Sequence, residues 1–384
     1  MVDLRRRIHQ EPELGLDLPL TQAKVLESLD GLPLTIETGE ATTSVVATLE
    51  GGGDGPTILL RGDMDALPMP EHSGEPFASR FDGRMHACGH DSHVAMLAGA
   101  ARILSARRET LNGRVKFMFQ PGEEGYAGAK VMIEEGVLDS PAVDAAFAVH
   151  ISPNVAAGSV ASRAGSMMAS ADTFKLTVMG KGGHASMPYG AVDPIPVACE
   201  IVQAFQTMVT RTINAFDPAV LTVAHIEAGT TSNVIPESAF VEGTLRTVSE
   251  ATRARAKEGI VRVAQNVAAA HGCTVEVDLS DGYPVTVNDA DMYGFAVDVA
   301  RHLLGPDQVA EMPAPVMGAE DWSYVLQKVP GAIFFLGVCP DGDSPSQAHA
   351  CHSNKMRIHE SAMINGASLY SAVAVRYLEK GSLA

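Results

Sequence analysis

Within nine residues, Met85-His86-Ala87-Cys88-Gly89-His90-Asp91-Ser92-His93, the chain gathers one thiol, three imidazoles and one carboxylate. Thiolate sulfur and neutral imidazole nitrogen are the protein ligands that borderline-soft divalent metals prefer. Cys88 and His90 flank Gly89, and a glycine there lets the backbone bend so that both side chains aim at one point. The competing reading is a helix N-terminus followed by unrelated histidines. The metal reading therefore requires further ligands from elsewhere in the chain.

Hydrophobic periodicity shows which elements would carry those ligands. Residues 3–30 read as a helix interrupted near Pro12 and Pro19, and 44–49 read as a strand. The run Thr57-Ile58-Leu59-Leu60-Arg61 is typical of a strand buried on both faces, and it ends in Gly62-Asp63-Met64-Asp65. Asp63 and Asp65 thus stand at a strand's carboxyl end, where Asp65 would either orient a ligand histidine or cap a helix. A helix over about 92–106 follows the Cys88 loop, with an apolar stripe from Val94 to Leu104; His93 on its first turn reads as a polar neighbour. The strand 115–120 runs into Pro121-Gly122-Glu123-Glu124-Gly125. Adjacent carboxylates on a plain surface would only start the next helix. Beside a metal they divide naturally into a ligand and a proton carrier. A helix over 128–136 then leads to a strand, 145–150, that ends in His150.

Three successive strands therefore end in Asp63/Asp65, Glu123/Glu124 and His150, with Cys88 and His90 in a loop between them. Strands alternating with helices predict an α/β fold with a mostly parallel, doubly covered sheet. Such sheets bind ligands outside the carboxyl ends of their strands, so every candidate would share one edge. The pattern changes after about residue 166. The order strand 172–179, helix 193–211, strands 220–226 and 239–246, helix 250–271 and strand 274–279 is β-α-β-β-α-β, an α+β split-βαβ (ferredoxin-like) arrangement. The expected organisation is a discontinuous catalytic, metal-binding domain of residues 1–166 and 286–384, carrying an inserted domain of 167–285. The first sheet would resume at 332–337. Before it, Gly318-Ala319-Glu320-Asp321-Trp322-Ser323 holds the only tryptophan and an acidic pair suited to a helix N-terminus. After it, a polar loop contains Cys339, His349, Cys351 and His352. His352 is the candidate last ligand; His349 and His359 read as bystanders.

A length of 384 residues accommodates two domains. The formal net charge of −18 opposes nucleic-acid binding, which needs a basic footprint. No apolar run is long enough to span a bilayer, so no membrane partner is expected. The basic N-terminus lacks an apolar signal core, and the expectation is a cytoplasmic protein. Five cysteines, an odd number without a regular framework, argue for reduced thiols. Cys199 falls in an apolar helical pattern and is expected in the core; Cys273, just before a strand, is expected to be structural.

These motifs resemble the M20 metallopeptidase family, and within it the amidohydrolase branch of hippurate hydrolases, indole-acetyl-amino-acid hydrolases and N-acyl-amino-acid deacylases. The resemblance spans nearly the whole chain. It runs through Ile8-His9-Gln10-Glu11-Pro12-Glu13-Leu14-Gly15, Arg61-Gly62-Asp63-Met64-Asp65-Ala66-Leu67-Pro68 and Met85-His86-Ala87-Cys88-Gly89-His90-Asp91. It continues in Gln120-Pro121-Gly122-Glu123-Glu124-Gly125, Gly180-Lys181-Gly182-Gly183-His184-Ala185, Asn233-Val234-Ile235-Pro236 and Gly318-Ala319-Glu320-Asp321. The resemblance implies two divalent ions, zinc or manganese, held by Cys88, His90, Glu124, His150 and His352, with the cysteine bridging. It implies Glu123 as general base, His184 and Asn233 as substrate contacts on the inserted domain, and Arg246 as a further one. It also implies a homodimer formed through that domain. Relatives read Leu-His-Ser-Pro at the last ligand, whereas this chain reads Cys351-His352-Ser353-Asn354, which removes a proline and sets a second thiol beside a ligand.

The implied activity is hydrolysis of an N-acyl amino acid or related small amide by a metal-activated water. The alternative within the family is a dipeptidase or carboxypeptidase-like exopeptidase. A cysteine-nucleophile hydrolase using Cys88 with His86 or His90 is a separate reading. Two glutamates and distant histidines gathered at one edge argue against it. A binding or storage protein on a degenerate hydrolase scaffold would not need every ligand type together with the base.

Overall fold

The apolar runs around 57–61, 115–120 and 145–150 form the centre of an eight-stranded sheet in the computed structural model, which describes residues 1–380. The strand order is Leu34–Thr38, Val45–Glu50, Asn112–Gln120, Gly53–Asp63, Ala145–Ser152, Gly331–Gly337, Val160–Ser162 and Val309–Glu311. The four strands from Asn112–Gln120 to Gly331–Gly337 are mutually parallel. Leu34–Thr38 and Val45–Glu50 extend the sheet antiparallel on one side. On the other side Val160–Ser162 joins Gly331–Gly337 antiparallel, and Val309–Glu311 pairs parallel with it. The fold is thus α/β with a large, mostly parallel sheet.

Alternation along the parallel strands separates two chemistries. Ile58, Leu60, Val115, Phe117, Phe119, Phe147 and Val149 enter the main apolar core. The alternate positions carry Arg61, Lys116, Gln120 and His150, all buried as well. The helices His90–Ser105 and Met363–Lys380 pack on each other and on Gly53–Asp63. Gly62 permits this closeness, because a Cβ there would lie 2.9 Å from the His93 carbonyl oxygen. Helix His90–Ser105 therefore starts directly over the carboxyl end of that strand.

The chain divides into two compact units. The first comprises Met1–Gly165, Val287–Ala314 and the chain from Asp321 onward, and it contains the sheet just described. The second comprises Ser166–Thr286 with Pro315–Glu320. Its four-stranded antiparallel sheet has the order Ala219–Ala228, Ser238–Thr247, Asp172–Met179, Thr274–Ser280, which in chain order is 2-3-1-4, as in a ferredoxin-like sandwich. Its helices Pro194–Thr212 and Glu250–Ala270 are started by side-chain caps from Asp193 and Ser249.

The N-terminal stretch forms two helices, Val2–His9 and Pro19–Leu29, with the prolines at the expected break. The strand around 57–61 is longer than its apolar core suggests and begins at Gly53, with an irregular register between Gly53 and Thr57. Cys199 is exposed, contrary to expectation. The buried stripe of its helix runs through Val197, Ala198, Ile201, Phe205 and Met208, and position 199 falls off that stripe. Cys273 is buried as expected. Among the described residues, no helix is long and apolar enough to cross a membrane.

Candidate metal centre

Gly89 adopts φ +82° immediately before helix His90–Ser105, and a Cβ there would sit 2.5 Å from Ile151 Cγ1. A glycine is therefore required twice over, for the left-handed turn and for the approach of the loop to the strand Ala145–Ser152. The outcome is that Cys88 and His90 meet His150. Cys88 Sγ lies 3.4 Å from His150 Nε2.

Five side chains fall into two groups of three that share one sulfur. The ligand atoms of Cys88, His90 and His150 lie within 4.8 Å of one another, and so do those of Cys88, Glu124 and His352. Glu123 joins His90 and Glu124 in a third such group. Most of these side chains are buried; the His352 side chain is 56% exposed, so the cluster opens to solvent on its side.

The surrounding hydrogen bonds orient the donor atoms. His90 Nδ1 donates to the Asp65 carbonyl at 2.9 Å, and His150 Nδ1 donates to the Ile151 carbonyl at 2.6 Å. With Nδ1–H committed to a carbonyl in each ring, Nε2 is the atom left to the cluster, and in His90 a cation would displace the proton it holds. The Asp65 carboxylate accepts from the backbone N–H groups of Glu123 at 2.9 Å and Glu124 at 3.0 Å. One residue thus places the first imidazole and both glutamates. It serves as an orienting residue and does not cap a helix.

Behind this layer lies a second one. Asp63 accepts from His93 Nδ1 at 2.5 Å and pairs with Arg61 Nη1 at 2.7 Å. His93 Nε2 in turn accepts from the Ile151 N–H at 2.8 Å, next to His150. Asp321 receives Arg61 Nη2 at 3.1 Å, Gln120 Nε2 at 2.8 Å and the Ala129 N–H at 2.9 Å. Asp91 turns away from the cluster, accepting from Arg5 Nε at 2.9 Å and His9 Nδ1 at 2.8 Å. His86 is buried with its ring 6.1 Å from that of His9, centre to centre.

The electrostatics favour a cation. Burial pushes the His90 pKa down, but the charge of Asp63, the hydrogen bond and charge of Asp65, and the charge of Glu124 lift it to about 10. For His150, burial dominates and holds the ring well toward its neutral form. Burial opposes ionisation of Glu124, yet the close approach and charge of His352 and the charge of His90 keep its carboxyl below the usual range. Cys88 is pushed well up, first by the neighbouring Cys351 thiol, then by burial and the charges of Glu124 and Glu123.

Among the described residues, two buried polar atoms in this cluster have no hydrogen-bond partner: His90 Nε2 and Glu124 Oε1. Each has a neighbour at ion-pair distance, Asp63 Oδ2 at 3.5 Å and His352 Nε2 at 3.2 Å, without hydrogen-bond geometry. Side chains that converge on a point while missing one another fit a cation between them. The donor set of one sulfur, three ring nitrogens and a carboxylate oxygen fits zinc, and it also accommodates manganese.

Of the other residues singled out from the sequence, His184, Asn233 and Arg246 belong to the second unit. His184 pairs with Val234 across two short antiparallel strands, and the Asn233 carbonyl accepts the Ala185 N–H at 3.1 Å. His184 Nδ1 accepts from the Ser186 N–H at 3.1 Å. Arg246 lies on Ser238–Thr247, opposite Val220. The sequence reading missed the supporting roles of Arg61, Asp63, His93, Gln120 and Asp321. One signal was present: a fully apolar strand ending in an arginine must bury that charge against something.

Residues 59–376 match the profile of peptidase family M20/M25/M40. The chain is 38% identical to thermostable carboxypeptidase 2 of Saccharolobus solfataricus, over 99% of this chain and 96% of that protein. It is also 38% identical to the N-acetyl-L-cysteine deacetylase of Bacillus subtilis, over 99% of this chain and 88% of that protein. The crystal structure of the Bacillus subtilis YXEP protein, described as a dinuclear metal-binding peptidase of the M20 family, superposes with a TM-score of 0.85. That pair shares 33% identity and covers 98% of this chain and 97% of the other. With a profile spanning most of its length and full-length relatives above 30% identity, this chain belongs to the M20 family of metal-binding hydrolases.

Proposed function

We propose that this protein is a dinuclear metal-dependent amidohydrolase that cleaves the amide bond of N-acyl amino acids or related small amides. Cys88, His90, Glu124, His150 and His352 would hold the two cations, with Cys88 common to both. The single observation that carries the reading is the pair of three-residue groups sharing the Cys88 sulfur. A bound divalent cation supplies Lewis acidity, which polarises an amide carbonyl and makes water acidic near neutral pH.

The chain's own residues do the rest. Asp65 holds Glu123 and Glu124 by their backbone N–H groups, so the two carboxylates keep separate tasks. Glu124 belongs to the group with Cys88 and His352 and serves as a ligand. Glu123 is 6% exposed and stands beside His90 and Glu124, where it takes the proton from water and returns it to the leaving amine. His184 and Asn233 are assigned to substrate recognition, supported by the pairing of His184 with Val234, which follows Asn233, and Arg246 to the same task. We assign dimerisation to the second unit.

Amide hydrolysis of N-acyl amino acids is favoured by the deacetylase relative, whereas the carboxypeptidase relative favours an exopeptidase. A chelate-and-readd screen separates them. The chelated protein is assayed with zinc or manganese restored, on N-acetyl, N-benzoyl and N-indole-acetyl amino acids and on dipeptides of matching residues. Turnover of the N-acyl series at more than about tenfold the kcat/KM of the dipeptides is the expected result, since such a ratio corresponds to about 1.4 kcal/mol of transition-state discrimination. The opposite ratio makes it an exopeptidase, and turnover unaffected by chelation removes the metal reading.

A further inference from the structure

We propose that Cys88 and Cys351 form a reversible disulfide that closes the cation site by withdrawing its shared sulfur. The inference rests on the assignment of Cys88 as a ligand. The His352 N–H donates to the Ala87 carbonyl at 2.7 Å, so the residues bordering the two cysteines are tied together by a backbone hydrogen bond. Cys88 Sγ lies 3.4 Å from His150 Nε2. Cys351 Sγ also faces the Ile151 carbonyl at 3.9 Å, in the residue that follows His150. Both cysteines are free thiols. A disulfide needs Cα atoms about 4.4–6.8 Å apart, and a backbone hydrogen bond between adjoining residues holds two segments at that scale.

The surroundings of the pair separate its members. Cys88 belongs to both three-residue ligand groups, whereas Cys351 stands outside them. Cys88 is 8% exposed, while Cys351 is half-buried and is the sulfur an oxidant meets first. Of the remaining cysteines, Cys199 and Cys273 belong to the second unit, and Cys339 faces the carbonyls of Pro340 and Asp343. The predicted bond is therefore specific to one pair.

With hydrogen peroxide as oxidant, the Cys351 thiolate attacks one peroxide oxygen. The O–O bond breaks, and the departing hydroxide is protonated to water. The Cys88 thiolate then attacks the sulfenic sulfur, the S–S bond forms, and a second hydroxide leaves as water. Two thiols lose two protons and two electrons, and one peroxide becomes two waters. A dithiol reductant reverses the bond. In the disulfide Cys88 carries no thiolate charge, so both ligand groups lose the same member at once. A cation already on Cys88 opposes the reaction by engaging the attacking sulfur.

The test uses the full chain, chelated under reductant and then freed of both reagents. It is treated with hydrogen peroxide and digested for mass spectrometry, and Zn²⁺ uptake is measured in parallel. The expected result is a peptide pair linking Cys88 to Cys351, two hydrogens lighter than the sum of its parts. Zn²⁺ uptake weakens by at least about tenfold, as for loss of a ligand's support, and dithiothreitol restores it. Prior loading with Zn²⁺ suppresses the linked pair. Cys351→Ser takes up Zn²⁺ like the wild type before oxidation and yields no linked pair. Two alkylatable thiols after peroxide, or a linked pair with undiminished Zn²⁺ uptake, overturns the proposal. Failure of the reduced wild type to bind Zn²⁺ overturns the cation site itself, while the peptide pair still reports on the bond.

Discussion

The backbone carbonyl of Asp65 accepts the Nδ1 hydrogen of His90, while its carboxylate accepts the N–H groups of Glu123 and Glu124. Asp65 therefore fixes the spacing between an imidazole on one helix and two carboxylates on a separate loop. Asp65 is 1% exposed, so those bonds lie in a low-dielectric setting. In Asp65→Ala the two N–H groups lose their acceptor and the glutamates drift. Divalent-cation affinity should fall by about 10–100-fold, as with other residues that orient ligands. Isothermal titration with Zn²⁺ checks this. An unchanged affinity would show that the loop is held by other means.

Glu123 and Glu124 are neighbours in sequence with different company in space. Glu124 meets His352 at 3.2 Å, whereas Glu123 Oε1 receives the Asp321 N–H at 3.4 Å. Glu123→Gln keeps the shape and removes the proton acceptor. We expect kcat to fall by about 10²–10⁴-fold with cation content retained, the usual range for a positioned acid–base group. Metal analysis and turnover of the same sample decide it. Near-normal turnover assigns the base elsewhere.

Cation binding should stabilise the first unit, because the proposed ligands come from four separate stretches, around residues 88–90, 124, 150 and 352. The unfolded chain offers no such cluster. At a cation concentration a hundredfold above Kd, the gain is about 2.7 kcal/mol. Thermal unfolding across a Zn²⁺ series should show a midpoint that climbs with concentration, and His352→Ala should flatten the climb. A midpoint indifferent to chelator would contradict the clustered ligands.

His9 joins Arg5 around the buried Asp91, and its other nitrogen meets Glu71 at 3.1 Å. Burial lowers its pKa, but the charge and hydrogen bond of Asp91 and the bond to Glu71 raise it to about 9 from an ordinary 6.5. The folded protein holds this proton more tightly than the unfolded chain. The contribution is complete below pH 6.5 and disappears as pH rises through about 9. Its size is on the order of 3 kcal/mol. Denaturant midpoints between pH 6 and 10 should fall more steeply for the wild type than for His9→Gln, whose remaining fall is that of His90; parallel curves would refute the linkage.

The candidate ligands were legible because strands announce their ends. Apolar runs that stop at Asp63, Gln120 and His150 place whatever follows at one edge of a parallel sheet. The ligand loop was legible through its residue types alone. What escaped was the layer behind it. Arg61, Gln120 and Asp321 are far apart in the chain, and a hydrogen bond between residues 120 and 321 leaves no periodic trace in either segment. His93 looked like a polar neighbour on a helical turn, yet it links Asp63 to the Ile151 N–H. The exposure of Cys199 was missed for a related reason: an apolar helix buries one stripe only, and the phase of that stripe is set by the sheet it meets.

The sequence by itself determined which residues could bind a cation, the order of strands and helices that brings them to one edge, and the change of architecture after residue 166. These are consequences of local periodicity and side-chain chemistry, which act over a few residues. Only the tertiary structure decided that Cys88 is common to two groups, that Asp65 faces both His90 and the two glutamates, and that the segment of Cys351 is tied by a backbone hydrogen bond to the loop of Cys88. Each of those depends on how closely separate segments approach. That approach is set by packing at positions such as Gly62 and Gly89, where the missing side chain matters only against a neighbour distant in the chain.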